Sequence, residues 1–349
     1  MKIYLDPEKN YYKANLHCHT RYSDGRATAE TVKEEYKKRG YSAVAFTDHQ
    51  HLINAKALSD GDFIAITGCE MAVTGPKADS FAPHPSSKQL HINLYAKDPD
   101  CDTTPFYSEK KDSYKFDDVR HLVKPGVPFC RIEHTVESVN EAVRLAHEAG
   151  FLVSYNHPNW SLHTAEDYLG YEGFDFVEVH NTGSILSGHH NDEGVYDNMM
   201  KAGMRIAPIA TDDNHNAYGF EEPLTDSFGG WVMIAAERLG YRELMDSLEA
   251  GDFYASTGPV IRSIELDDSG TEGIIRVKCS PAKAVYLITQ GRRNARVIAP
   301  LGEFLEEAEI KLYPQDMRFR IRVDDGSGHS AYSGIYDIPE DTPRVVVKK

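Results

Sequence analysis

Residues Asn15–Gly25 read "NLHCHTRYSDG". His17 and His19 flank Cys18, and the pair Asp24-Gly25 follows. Side chains alternate across a strand, so His17 and His19 share one face and Cys18 points to the other. Such a pair is weak on its own, because 16 histidines placed at random in 349 residues give about 0.7 His-x-His pairs. A second pair, His49 and His51, stands in "TDHQHL". What either pair means depends on what the rest of the chain sets beside it.

Strand-like and helix-like segments alternate outward from this stretch. The strand candidates are "KANLHCHT", "SAVAFTDH", "DFIAITGCE", "LHINLYA", "FLVSYNHP", "FDFVEVHN" and "RIAPIATDD". Between several of them lie the amphipathic patterns "TAETVKEEYKKRG", "TVESVNEAVRLAHEAG" and "EGVYDNMMKAG". These end in Gly40, Gly150 and Gly203, the residue type that closes helices, and Thr28 is placed to cap the first. The alternation predicts an α/β fold with a mostly parallel sheet, open or closed into a barrel. A further helix, "YRELMDSLEAG", precedes "DFYASTGPVI".

After about Pro259 the pattern changes to short alternating runs, among them "IRVKCS", "AVYLITQG" and "RFRIRVDD", separated by Gly, Pro and Asp turns. These predict a smaller all-β, sandwich-like domain over 260–349, behind a first domain over 1–259. The segment of about 75–136, rich in Pro, Ser, Asp and Lys, is read as an insertion over one face.

The net charge is −16. Arg262–Lys349 holds 14 basic and 14 acidic side chains, so residues 1–261 carry the whole excess. That acidity argues against a long nucleic-acid groove, which needs a basic stripe. No apolar run approaches the roughly 20 residues of a membrane helix, and the opening "MKIYLDPEKN" lacks the apolar stretch of a secretory signal. Five cysteines with no CxxC pair are read as reduced thiols, which points to the cytoplasm.

The C-terminal ends of the strand candidates collect metal-ligand residue types. The first ends in His17 and His19, the second in Asp48 and His49, the third in Glu70, the fifth in His157, and the seventh in Asp213 and His215. His91 differs, standing at the start of the fourth. In parallel α/β folds such ends converge on the face where active sites are built. A His and carboxylate set with no cysteine ligand suits Zn, Mn or Fe.

Taken in order, "HCHTRYSDG", "TDH", "GCE", "NHP" and "TDDNH" resemble the successive motifs of the PHP (polymerase and histidinol phosphatase) superfamily over about residues 10–259. "HINLYA" and "GDFYASTGP" before a β-rich tail resemble its CehA/McbA-type branch. The resemblance implies a distorted (β/α)7 barrel and two or three divalent ions in a trinuclear metal centre. It implies His17, His19, Glu70 and Asp213 as ligands of a first ion. Glu70, His91 and His157 would hold a second, with Glu70 bridging, and Asp24, His49 and His215 a third.

Ions gathered in this way serve hydrolysis by attack of a metal-bridging hydroxide. The expected activity is that of a metal-dependent phosphoesterase acting on a small phosphorylated molecule. One alternative is a hydrolase of carboxyl or carbamate esters, as the CehA-like resemblance suggests. Another is a PHP module with little catalysis. No Walker A loop, G-x-G-x-x-G fingerprint or G-x-S-x-G elbow supports other chemistry. His51 and His180 are candidates to assist catalysis, and Arg21 and Asn181 to bind substrate. A homodimer is the expectation from base rates.

Overall fold

The computed structural model describes residues 1–74, 88–104, 124–125 and 134–345. Most of the expected insertion, and Cys130 within it, lies outside the described residues. The first strands are β1 (Lys2–Leu5), β2 (Asn10–Asn15), β3 (Ala43–Phe46), β4 (Ile64–Thr74) and β5 (Gln89–Ala96). Next come β6 (Thr103–Thr104), β7 (Lys124–Pro125), β8 (Phe151–Tyr155), β9 (Phe176–Asn181), β10 (Ala207–Thr211), β11 (Trp231–Ala236) and β12 (Phe253–Ser256). The helices are α1 (Ala29–Lys38), α2 (Val136–Glu148), α3 (Ala165–Tyr168), α4 (Thr182–Leu186), α5 (Glu193–Lys201) and α6 (Tyr241–Ala250). None of them is long and apolar enough to cross a membrane.

The long helices end where local chemistry directs. Thr28 and Thr135 accept hydrogen bonds from the Thr31 and Ser138 N–H groups, each at 3.2 Å, and so satisfy donors the first turn leaves unpaired. Gly40, Gly150, Gly203 and Gly251 take positive φ after α1, α2, α5 and α6. Strands β3 and β8 are buried at every residue, as expected of strands covered on both faces. Fully buried Phe151 and Phe176 each contribute about 1.5–3 kcal/mol through burial.

The sheet of the first part runs in the order β10-β9-β8-β5-β4-β3-β2-β11-β12. Parallel ladders join β2-β3-β4 and β8-β9-β10, whereas β5 lies antiparallel between β4 and β8. This reversal explains His91. It starts its strand, yet it lies at the edge where β4 and β8 carry Glu70 and His157. The row β10 to β2 meets itself through one isolated parallel bridge, Cys18 with Asn214. Two hydrogen bonds of 3.0 Å make the junction, Asp213 N–H to the His17 carbonyl and His19 N–H to the Asn214 carbonyl. Among the described residues the expected seven-stranded barrel closes no further than this.

The remaining strands are β13 (Ile261–Asp267), β14 (Ile274–Ala282), β15 (Ala284–Thr289), β16 (Ala295–Ile298), β17 (Leu305–Lys311), β18 (Arg318–Asp324), β19 (Ser330–Ser333) and β20 (Tyr336–Asp337). No described helix lies among them, as their alternating pattern predicts. They do not form a detached unit. β12 pairs with β19 and continues the large sheet through β18, β15 and β16, while N-terminal β1 pairs with β13 in a second sheet, β1-β13-β14-β17. The two layers enclose a second core around Ile264, Val277, Leu287 and Phe319.

Arg320 of β18 ties this part to α5. It is fully buried, with Nη2 2.5 Å from Glu193 Oε1 and Nε 2.8 Å from Asp197 Oδ1. Removing one partner of a buried ion pair strands the other, so Arg320→Ala is expected to lower the unfolding free energy by about 3–5 kcal/mol, measured by denaturant titration. Asp192, just before α5, is buried as well, and burial raises its carboxyl to about 7. A raised carboxyl binds its proton more tightly in the folded state, so its contribution to stability falls as pH rises from about 4 to 7. Asp192→Asn is therefore expected to raise the Tm at pH 8, with the advantage fading near pH 4.

Candidate metal centre

Glu70 lies midway along β4, with both carboxylate oxygens inside the protein and five imidazoles around them. Oε1 is 3.3 Å from His17 Nε2, 3.0 Å from His91 Nδ1 and 3.3 Å from His157 Nε2. Oε2 is 3.3 Å from His19 Nε2 and 2.9 Å from His49 Nδ1. On the other side of the histidine pair, Asp213 Oδ1 is 3.2 Å from His17 Nε2 and 3.0 Å from His19 Nε2. Asp24 stands over the outer rim, with carboxylate oxygens 3.3 Å from His215 Nε2 and 3.6 Å from His49 Nε2. All nine expected ligand residues thus meet at one edge of the sheet.

The donors fall into three overlapping groups: His17, His19, Glu70 and Asp213; His49, Glu70 and His91; and His19, Asp24, His49 and His215. Atoms bound about 2.0–2.2 Å from one ion lie about 3.0–3.5 Å apart, and the separations among His17 Nε2, His19 Nε2 and Asp213 Oδ1 fall in that range. His17 Nε2 and His19 Nε2 are 3.1 Å apart and converge on the same carboxylate oxygen. A neutral imidazole has one lone pair to give, so His19 and His49 can each serve only one of the two groups in which they appear. The donor set fits divalent cations.

Local backbone geometry aims these side chains. His157 and Asp213, each just beyond a strand end, take positive φ of 28° and 52°, a conformation non-glycine residues adopt at a cost. Gly25 answers a different demand, since a Cβ there would stand 2.5 Å from the His19 carbonyl oxygen. Only a residue without a side chain lets the Asp24 turn lie this close to the histidine strand. Asp48 pins that turn by accepting from Thr20 N–H at 2.8 Å and Ser23 Oγ at 2.7 Å.

Burial alone would raise the Glu70 carboxyl, but His91, His17 and His49 hold it well below the usual carboxylate range. Asp213 is likewise held low against burial by His17 and His19. Burial works against a charged His17, yet Asp213, Glu70 and Glu178 keep its imidazole well above the usual histidine range. His215 is raised to about 9, its partner Asp24 outweighing burial. The carboxylates thus demand positive charge, which protons or divalent ions can supply.

Glu178 of β9 completes the arrangement and was not among the expected residues. It is fully buried, accepts from His17 Nδ1 at 2.7 Å, Thr211 Oγ1 at 2.7 Å, His157 N–H at 2.8 Å and Asn181 Nδ2 at 2.9 Å. It thereby fixes His17 Nε2 as the atom facing the donor cluster. An acidic residue inside the apolar run "FVEV" was the available sequence signal.

Four other expected residues sit differently. The β9-β10 register slips so that Ile209 faces Glu178 and Ala210 faces His180. That irregularity breaks the period of two, so Glu178 and Asn181 face the cluster while His180 turns to Thr182 Oγ1 at 3.2 Å. Burial lowers His180 to about 4. Asn181 is committed internally, donating to Glu178 and to Asp213 Oδ2 at 3.2 Å, so it orients Asp213 rather than reaching a substrate. Gln50, with φ 62°, turns the chain between His49 and His51, and His51 lines a separate cavity of about 130 Å³. Arg21 is exposed on the 20–26 turn and does not line the cavity of about 620 Å³ over the donors.

Fold and donor cluster together define an α/β protein with a buried His and carboxylate cluster able to hold metal ions. Residues 15–171 match the PHP domain family model. The match spans the candidate donors from His17 to His157, and the fold adds Asp213 and His215 from beyond it. No curated protein matches the chain. Among solved structures it is similar to a two-domain protein from Bacteroides vulgatus containing a predicted PHP-like metal-dependent phosphoesterase, with 13% identity, a TM-score of 0.44 and 96% of each chain covered. It is also similar to an amidohydrolase from Chromobacterium violaceum, with 17% identity, a TM-score of 0.36, and 69% of this chain and 96% of that one covered. Likeness at this level decides nothing about the reaction.

Glu178→Gln keeps the volume and loses the charge behind His17. Loss of such a partner is expected to weaken metal affinity about 10–100-fold, measured by calorimetric titration of the metal-stripped protein.

Proposed function

We infer that this protein is a metal-dependent hydrolase, and a phosphoesterase acting on a small phosphorylated molecule. The observation that carries the reading is the buried Glu70 carboxylate shared between neighbouring donor groups, within the segment that matches the PHP domain family model. With His19 given to the first ion and His49 to the third, the second keeps Glu70 and His91. His157, 3.3 Å from Glu70 Oε1, joins it. That is the ligand division the family resemblance implies. The working division of the chain remains a hydrolase part over 1–259 and an all-β part over 260–349, with Lys2–Leu5 counted with the latter.

Divalent ions held there would acidify a coordinated water and polarise the scissile group. The chain's own contribution is orientation. Glu178 fixes His17, Asn181 steadies Asp213, and Asp226 accepts from His215 N–H at 2.7 Å and so holds the third group's histidine at the cavity wall. A carboxyl or carbamate ester hydrolase of the CehA/McbA type is the second reading. It is favoured by one observation: among the described residues no Lys or Arg lines the cavity, so a phosphate would depend on the ions alone for compensation.

The test is product release from an aryl phosphate monoester, an aryl phosphodiester, a nucleoside monophosphate, an aryl acetate and an aryl carbamate. Each is assayed with metal-reconstituted enzyme and with a chelated control. Metal-dependent turnover of the phosphorus esters is expected, abolished with metal content in His17→Ala and Asp213→Ala. Turnover confined to the acetate or carbamate would replace the first reading with the second.

A further inference from the structure

The large sheet ends in β16, beyond which no described strand lies. On its inner side β16 pairs with β15, Val297 facing Val285 and Ala295 facing Leu287. Ala299 N–H donates to the Lys283 carbonyl at 2.9 Å, which sets the phase of this antiparallel ladder. Val297 and Ala295 therefore bond to β15, and the N–H and C=O groups of Arg296 and Ile298 turn outward. Among the described residues no hydrogen bond reaches those outward groups.

An unpaired strand edge invites another strand, and proteins usually guard it with charge. The outer strand of the second sheet, β17, is guarded in this way by exposed Glu306, Glu307 and Glu309. β16 carries one charge, Arg296, and beside it Ile298 is 57% exposed. In the turn that follows, Leu301 is fully exposed and Phe304 is 57% exposed. The other charges stand off the two ends of the strand. Arg292 lies in the hairpin before it and Glu303 in the turn after it, both exposed and neither in an ion pair among the described residues.

We propose that β16 is a dimerisation edge, pairing antiparallel with β16 of a second copy of this chain about a twofold axis at Val297. Such a contact is isologous, so Arg296 faces Ile298 of the second copy and Ile298 faces its Arg296. The outward N–H and C=O groups of both residues find partners, and the one charge on the strand opposes an apolar side chain rather than its own copy. The same register sets the Arg292 hairpin of each copy against the turn of the other that carries Leu301 and Glu303. Guanidinium thus meets carboxylate at both ends, and Ile298 and Leu301 lose contact with water. Parallel pairing would instead set Arg292 beside Arg292 and Glu303 beside Glu303. Charge therefore selects the antiparallel dimer.

The experiment is sedimentation velocity on the metal-reconstituted full chain, over about 1–200 μM protein. A monomer–dimer equilibrium with a Kd of about 1–50 μM is expected, since a contact built on one strand is small. Ile298→Pro removes an outward donor and leaves the bonds to β15 in place, so it is expected to weaken the dimer at least about tenfold. Arg292→Glu and Glu303→Arg, both at exposed positions, are each expected to weaken it several-fold. The two reversals combined are expected to restore it, with metal content as in the parent throughout. A parent that sediments as a monomer at about 200 μM would overturn the inference. So would a dimer that Ile298→Pro and both reversals leave unchanged, because another surface would then hold it. Weakening by each reversal without recovery in the combined variant would overturn the antiparallel pairing.

Discussion

A carboxylate shut away from water loses its hydration and must find equivalent compensation inside the protein, at a cost of several kcal/mol if it does not. Glu70 is such a group, fully buried in β4, and much of the site can be understood as the answer to it. Five imidazoles from the ends of four other strands and the turns after them point their nitrogens at its two oxygens. That convergence is unfavourable for the imidazoles alone, because protonated neighbours repel. It becomes favourable when divalent ions take the place of the protons. The same charge explains why the surrounding acids matter, since Asp213, Asp24 and Glu178 set how much positive charge the cluster accepts.

Delivering so many donors to one point requires the strand ends to coincide. Parallel β2-β3-β4 and β8-β9-β10 bring their C-terminal ends to one edge, and antiparallel β5 contributes its beginning. The Cys18–Asn214 bridge draws Asp213 to the histidine pair. At two positions, His157 and Asp213, the backbone is held in a conformation it would not choose freely. The hydrogen bonds of His157 N–H to Glu178 and of Asp213 N–H to His17 offset that cost.

The all-β part is fastened to the same apparatus. From buried Arg320 the contacts run to Glu193 and Asp197 of α5. Asp192, at the start of that helix, accepts from Asn159 N–H at 2.9 Å, two residues after His157. The strand β19 meanwhile pairs with β12. The second part thus buttresses the helix beside the site through these ion pairs.

Much of this was legible in the sequence. Helices α1, α2, α5 and α6 follow from apolar periodicity closed by glycine, which are local properties. Seven of the nine candidate donors, His17, His19, His49, Glu70, His157, Asp213 and His215, follow from residue type at strand ends, because alternation and parallel pairing are general rules, whereas Asp24 and His91 came only with the family resemblance. Strands β1 and β11 were not marked, being short or set among loops. The sequence also could not reveal that β5 runs backwards, since direction is fixed only by which neighbours a strand pairs with. Nor could it show the slip in β9 that turns His180 away and Asn181 inward, or the turn at Gln50 that parts His51 from His49. Glu178 escaped for the same reason, because its role is defined by four partners distant in the chain. Composition and spacing determined which donors exist and which edge they occupy. Pairing direction, register and close backbone approach, which depend on the whole sheet, decided which atoms face one another.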